Sequence, residues 1–421
     1  MATLLFFPNY LGGGFGHIGR CLALAEAWQK RGHQAVFAMG GPHMERVEQA
    51  GFDVYPLHTP RYTPHRNLGL AYVRVTDIAY QVARDGFDHA RIVQQALKES
   101  QEIIRRVQPD ALVGDGYLLT RLIGLATKLP VIQITKSVSH PHVPPPAWTD
   151  APLPGVVPPD IIPVFKPILR ALGAPPLTHP LDLLDGDLHL IPGILPLDPL
   201  PSLPPRTHYV GPMVRAPRGK GTPPPWLQSL AEKEEPIVYI TVGGASGIAG
   251  NPTFQHLVVA ALGGRPYQVV FSTGGQEPPE DISLPQNIHF TRWINPHNIL
   301  PIARTVVFHG GYTRMEVLLH GLPSVVIPFH SEQEYYGRLL QEAGASIVLS
   351  YSTAPYQRLN VMWRGGRPWK RSRYTLQVRT QPTLSPATLR DAVEATLHHP
   401  SLRASAEALQ KALQSLQGSD Q

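Results

Sequence analysis

Residues 306–333 read VVFHGGYTRMEVLLHGLPSVVIPFHSEQ. Gly310 and Gly311 permit a tight turn and a close approach of the backbone to a ligand. A helix starting near Thr313 would turn free N–H groups and its positive end towards an anion, and the Thr313 hydroxyl could join them on a phosphate. Glu316, one turn further on, suits a ribose diol, because a carboxylate accepts from two hydroxyls. Taken alone, the glycines fit an ordinary strand–turn–helix equally well. A second group is split across the first half. LGGGFGHIGR, residues 11–20, places Gly14, Gly16 and His17 between a short apolar run and a helix, and Asp115 directly follows the apolar residues 111–114. Both fall at the carboxyl edge of strands, on one side of a sheet. An imidazole there titrates in the range useful for proton transfer, and a carboxylate can orient it and stabilise its cation. The plainer roles are a loop histidine that caps the helix or contacts a phosphate, and an aspartate that caps the next helix.

Two other chemistries are weaker. Gly14, Gly16 and Gly19 can be drawn as a dinucleotide fingerprint, but no acidic residue stands about 20 positions on, near residues 39–41. His140 with His142, or His398 with His399, could pair on a metal, yet neither has a Cys or carboxylate at recognisable spacing. No metal and no cofactor beyond a substrate nucleotide is expected.

The elements that must hold these residues follow an α/β pattern. Residues 3–8, 34–38, 111–114 and 131–134 are short apolar runs, as buried parallel strands should be, and residues 18–31 have helical spacing with Gly32 placed to stop them. Of 46 prolines, 24 fall between residues 140 and 227, so that stretch cannot be mostly central strand. Its apolar residues 161–169 recur at spacing that can pack. A strand running into a glycine loop begins at residue 237, further strands follow at residues 267–272, 288–290, 305–308 and 324–328, and residues 384–416 carry the last helices. The resulting division is an N-terminal Rossmann-like domain over 1–205, a proline-rich linker over 206–230, a C-terminal Rossmann-like domain over 231–400 and a terminal helix over 401–421. Two such doubly wound domains face each other across a cleft, and ligands bind at the carboxyl ends of their strands.

Beyond the glycines, the order His309–Gly310–Gly311, Thr313, Glu316, Gly321–Leu322–Pro323, Pro328 and Glu332–Gln333 resembles the donor motif of the family 1 glycosyltransferases. RWINPHNILP, residues 292–301, is similar to the aromatic–x–Pro segment of that family, and ITVGGASG, residues 240–247, to its second glycine loop. The histidine of the family falls at Phe308, one place before His309. The spacing of Gly310, Thr313 and Glu316 also resembles the transferase that adds GlcNAc to the lipid-linked peptidoglycan precursor. The resemblance implies a GT-B fold and an inverting transfer from a nucleotide-diphosphate sugar, with UDP the favoured nucleotide, to a hydroxyl of a small molecule or lipid. It implies that Trp293 stacks on the base, that the Ile294 backbone bonds its edge, and that Glu332 and Gln333 hold sugar hydroxyls. Gly243, Gly244, Ser246, His309, Gly310, Gly311, Thr313 and Glu316 complete the donor site. On the acceptor side it makes His17 the general base and Asp115 its partner, in the loop with Gly14 and Gly16. A GT-B 2-epimerase or hydrolase and a non-catalytic sugar-nucleotide-binding activator are the alternatives.

Composition sets outer limits. The chain is 43% apolar and 16% charged, which suits a globular protein too long for one core. Its single cysteine, Cys21, fits a reducing compartment, and the apolar start reads as a first strand instead of a signal peptide. No uncharged apolar run reaches the roughly 20 residues of a membrane span. The expected location is therefore the cytoplasm, or the periphery of the inner membrane face. Residues 351–380 carry Arg358, Arg364, Arg367, Lys370, Arg371, Arg373 and Arg379 with no acidic residue, and Gly365–Gly366 lies between two β-rich arms. This basic hairpin has no counterpart in the family pattern. It reads as an insertion in the C-terminal domain, either a solvated surface hairpin or subunit contact, or a contact to an anionic membrane surface or a phosphorylated acceptor. With a net charge of only +6, nucleic acid is disfavoured.

Overall fold

The computed structural model describes residues 1–60, 71–75, 77–144, 154–215, 223–241, 251–275, 283–365 and 372–416. Its strands are β1 (Thr3–Pro8), β2 (Gln34–Met39), β3 (Asp53–Pro56), β4 (Tyr72–Arg74), β5 (Ala111–Asp115), β6 (Val131–Ile134), β7 (Leu188–Ile191), β8 (Thr207–Tyr209), β9 (Ile237–Thr241), β10 (Gln268–Ser272), β11 (Ile288–Thr291), β12 (Thr305–Phe308), β13 (Ser324–Val326), β14 (Ser346–Val348), β15 (Gln357–Trp363) and β16 (Ser372–Arg379). They form three sheets.

The first sheet runs β3-β2-β1-β5-β6-β7-β8 and the second β11-β10-β9-β12-β13-β14, with every pairing parallel. Parallel strands are covered by crossover helices on both faces, which is why β1 and β12 are continuous apolar runs with almost no exposed residue. In each sheet the strand order reverses once, between β1 and β5 in the first and between β9 and β12 in the second. The carboxyl ends beside such a reversal splay apart and leave a crevice for a ligand. The glycine loop follows β1 and runs into the helix Gly16–Lys30, so His17 sits in the first turn of that helix instead of in the loop; Asp115 ends β5, and His309, Gly310 and Gly311 follow β12. Both residue groups therefore flank a reversal point.

The chain departs from the sequence expectation in two places. β8 belongs to the first sheet, paired with β7, although the linker was expected to begin at residue 206. Three residues are too short to show a strand periodicity against so many prolines. The basic hairpin departs further. β15 and β16 pair antiparallel with each other, and β16 pairs with β4 of the N-terminal unit. Trp363, Tyr374, Leu376 and Val378 bury in the same core as β1, β2 and β5. Arg364 donates to both oxygens of Asp88, at 3.0 and 2.8 Å. The hairpin leaves the C-terminal unit in sequence but packs on the N-terminal one, so one of its faces is core, while Arg358 and Arg373 stay exposed. Its turn, with Arg367, Lys370 and Arg371, lies outside the described residues. The terminal helix Pro400–Gln414 packs through Ala406 and Leu413 into the core that holds β12 and the helix Thr313–Leu319.

Candidate active site

The N-terminal half of the site is a closed polar array. The helix Gly16–Lys30 starts at the glycine loop and places His17 and Arg20 one turn apart, on the same face. His17 Nδ1 lies 2.7 Å from Asp115 Oδ1. Arg20 donates from Nε to Asp115 Oδ2 at 2.7 Å and from a terminal nitrogen to Oδ1 at 2.6 Å. That terminal nitrogen is also 2.9 Å from His17 Nδ1. A guanidinium cannot accept, so Nδ1 either donates to Asp115 or accepts from Arg20. Asp115 is fully buried, which opposes ionisation, but Arg20 and His17 outweigh the burial and hold its carboxyl below the ordinary range. Burial likewise depresses His17 below its usual value, against the pull of Asp115, so the ring is neutral at pH 7. Gly116 sits at φ +66°, and a Cβ there would fall 2.6 Å from His17 Cε1. The glycine therefore leaves room for the imidazole.

The C-terminal half holds more groups that are not yet matched. Gly310 has φ +86°, and a Cβ on it would meet the Gln333 carbonyl at 2.4 Å, so only glycine fits between this loop and the next helix. A Cβ on Gly311 would meet His309 Nε2 at 2.3 Å. Gly311 thus seats the His309 ring as well as shaping the turn. His309 Nδ1 is buried without a hydrogen-bond partner, and burial with the nearby His330 pushes the ring down to about 4. His309 is therefore a neutral ring and no cationic anchor. Thr313 opens a helix of seven residues, Thr313–Leu319, starting where the sequence places it. Burial alone raises Glu316 to about 7. It lines a pocket of about 360 Å³ with Pro212, Arg215, Pro296, His297 and His320. Trp293 is 56% exposed, while the next residue, Ile294, is buried. Asn295 caps the short helix Pro296–Ile299 by accepting from the His297 N–H at 3.1 Å. Gly243, Gly244 and Ser246 lie outside the described residues.

The two halves meet through residues that the sequence reading missed. Lys136, just after β6, donates to Glu332 at 2.6 Å. Burial works against the Glu332 charge, but Lys136 and His330 bring its carboxyl down to about 2. Gln333 turns its side-chain carbonyl back to the Phe329 N–H at 2.9 Å. Tyr312 stacks under the Arg20 guanidinium at 4.5 Å and accepts from the Met213 N–H at 2.8 Å. Arg46 stands over Trp293 at 5.6 Å. Deeper in, Arg314 donates to both oxygens of Asp198, at 3.2 and 2.9 Å, with both side chains buried. The backbone joins as well: Val73 N–H donates to Phe329 at 2.8 Å, and Val75 N–H to Ser331 Oγ at 2.7 Å. Lys136 could have been found by the reasoning that found Asp115, since both stand at the carboxyl edge of a strand. Arg20 could have been found from its i, i+3 relation to His17. Nothing local marks Tyr312 or Arg46, whose partners are far away in sequence.

Comparison with known proteins bears on this arrangement. Residues 256–364 match the model of the C-terminal domain of erythromycin biosynthesis protein CIII-like proteins. A PGL/p-HBAD biosynthesis glycosyltransferase of Mycobacterium tuberculosis is 25% identical over 358 residues, covering 79% of this chain and 78% of that one. A PGL/p-HBAD biosynthesis rhamnosyltransferase of Mycobacterium bovis is 24% identical over 367 residues, covering 82% and 76%. Among solved structures, the calicheamicin glycosyltransferase CalG4 superposes with a TM-score of 0.68 at 20% identity, over 100% of this chain and 96% of that one. The spinosyn rhamnosyltransferase SpnG superposes at 0.65 and 20% identity, over 100% and 98%. Two doubly wound sheets in a GT-B arrangement, the ordered donor motif and these relatives agree: the chain is a glycosyltransferase of the GT-B fold, similar to those of the family 1 type.

Proposed function

We propose that the chain transfers a sugar, with inversion, from a nucleoside-diphosphate sugar to a hydroxyl of a small-molecule or lipid acceptor. The observation that carries this reading is the His17–Asp115–Arg20 array at one reversal point, joined by the Arg20–Tyr312 stack to the donor loop at the other. With Nδ1–H given to Asp115, the lone pair of His17 stands on Nε2. That nitrogen takes the acceptor proton as the acceptor oxygen attacks the anomeric carbon. The bond from that carbon to the diphosphate breaks on the opposite face, and the nucleoside diphosphate leaves with the electron pair. Asp115 stabilises the imidazolium that forms, and Arg20 acts as a positioning residue that fixes the carboxylate.

On the donor side, Gly310, Gly311 and Thr313 take the diphosphate, with His309 as a neutral neighbour. Glu316 takes the ribose and Trp293 the base. One oxygen of Glu332, tied through the other to Lys136, and the Gln333 amide remain for sugar hydroxyls. The relatives widen the nucleotide choice. SpnG has been solved with thymidine diphosphate and with spinosyn aglycone, and VinC with dTDP. Uracil and thymine share the edge that the backbone at Ile294 would bond, so the base site accommodates either. No helix among the described residues is long and apolar enough to cross a membrane. A lipid acceptor would therefore be reached at a surface, and the exposed Arg358 and Arg373 of the hairpin suit an anionic one.

The test is a matrix of UDP- and TDP-sugars against phenolic, macrolide and lipid alcohols, with the anomeric configuration of the product read by NMR. An axial donor giving an equatorial product supports the reading. Retained configuration, or nucleotide release that no acceptor accelerates, overturns it.

A further inference from the structure

On the N-terminal unit, over the β6–β7 side of the first sheet, His142 Nε2 lies 2.8 Å from Asp185 Oδ1, and His189 Nε2 lies 3.7 Å from the same oxygen. One ligand atom from each of the three residues falls within 4.8 Å of the others. In the sequence His142 had no partner at recognisable spacing, because Asp185 and His189 reach it only through the pairing of β7 beside β6. We propose that His142, Asp185 and His189 form a binding site for a divalent transition metal of the zinc class, apart from the transfer site.

Three observations support it. First, the spacing fits: ligand bonds of ~2.0–2.2 Å in a tetrahedral shell put ligand atoms roughly 3.3 Å apart, between the two distances seen. Second, His189 is 1% exposed, and its Nε2 is a buried nitrogen without a hydrogen-bond partner. Its Nδ1 is 2.9 Å from Thr135 Oγ1, and that hydroxyl is 3.3 Å from the Gln133 carbonyl to which it donates. Nδ1 therefore carries the proton and gives it to Thr135, which leaves a lone pair on Nε2 pointing into the cluster. A metal-binding histidine is usually fixed in this way through its other nitrogen. Third, the neighbours leave the ligand atoms free. Arg121 approaches the other carboxylate oxygen, Oδ2, at 3.7 Å. Among the described residues, Oδ1 accepts only the Gly186 N–H, at 2.9 Å, besides the histidines. His140, its ring tilted 43° to that of His189 with the centroids 4.6 Å apart, is not a ligand. Its Nδ1 accepts from the His142 N–H at 3.2 Å and its Nε2 lies 3.0 Å from Thr207 Oγ1, so both nitrogens are used. Two imidazoles and one carboxylate suit Zn²⁺, with water completing the shell on the half-exposed His142 side. A bound ion would clamp residues 135–142 to β7, and that segment carries Lys136, the partner of Glu332 across the cleft.

The test uses the full chain, stripped with chelator and titrated with Zn²⁺ by calorimetry, with Co²⁺ absorption as a second readout. The expected result is one equivalent bound with a Kd on the order of 1 µM or tighter, and Co²⁺ ligand-field bands of tetrahedral intensity. H142A and D185N should each weaken binding by about 100-fold or more, while H398A should leave it unchanged. Because His142 is half exposed, the stripped H142A protein should melt with the stripped wild type, and Zn²⁺ should raise the Tm of the wild type alone. The proposal is overturned by a wild-type Kd weaker than about 100 µM, or by undiminished binding in H142A and D185N.

Discussion

On the N-terminal wall, both oxygens of Asp115 and one nitrogen of His17 are already held by charged neighbours at 2.6–2.9 Å. On the C-terminal wall, His309 Nδ1 is buried and unmatched, and Glu316 is buried deeply enough to titrate near 7. The two walls have the same topology but opposite polar economies. On the proposed reading, the N-terminal wall holds the proton acceptor, which must be oriented before substrate arrives, so that wall is preorganised. A wall that recognises a diphosphate and a ribose must keep polar groups for the ligand, and those groups cost stability until they are matched.

The largest expected effect falls on the preorganised wall. His17→Ala should lower kcat by about 10²–10⁴-fold with the donor KM little changed; turnover at the wild-type rate would remove His17 from the chemistry. Asp115→Asn should follow, with a loss on the order of 10²-fold, because the amide cannot stabilise an imidazolium. It carries a second signature in the pH profile. His17 lies below its ordinary value of about 6.5, so the acid limb of kcat/KM should lie below that pH. Asp115 raises the His17 pKa, so losing its charge should move the limb to lower pH still. A limb that moves upward would contradict the pairing.

On the recognition wall the effects should appear in binding. Glu316→Gln should raise the donor KM by roughly 10-fold, about 1.4 kcal/mol, with kcat nearly constant. An equal loss in kcat would mean that Glu316 acts in the transition state, and the contrast between the walls would blur. The smallest effect concerns the bridge between them. Glu332 has a folded pKa near 2, below its ordinary 4.5, so the stability it contributes is full above about 4.5 and is lost as pH falls towards 2. Lys136→Met should flatten the dependence of Tm on pH between about 4.5 and 2 and slightly raise the donor KM. A pH slope that survives the substitution would assign the shift to another group.

The walls were also unequally legible in the sequence. β1, β5, β6, β9 and β12 could be read within a residue because each is an apolar run bounded by glycine, proline or charge. His17 and Asp115 could be placed at one edge because each directly follows such a run. Much of the wall proposed to receive the donor could be read as an ordered motif, because a backbone turn of the kind proposed for a diphosphate demands glycine at set intervals. The engagement of Glu332 by Lys136, and of Gln333 by its own loop, could not be read, since each depends on how a rigid unit sits against its neighbour. The basic hairpin shows the same limit. Its arms are visible as strands, yet its partner β4 stands some 300 positions earlier, at Tyr72–Arg74.

Local sequence by itself determined the strand–turn–helix units, the glycine positions and the chemical types at the sheet edges, since steric rules and hydrophobic period act over a few residues. Only the tertiary structure decided which charges meet. It put Arg20 on Asp115 and under Tyr312, tied Lys136 to Glu332, and gathered His142, Asp185 and His189 at one place. Ion pairs and ligand clusters act at a few ångströms between atoms far apart in sequence, and packing of the sheets sets those distances.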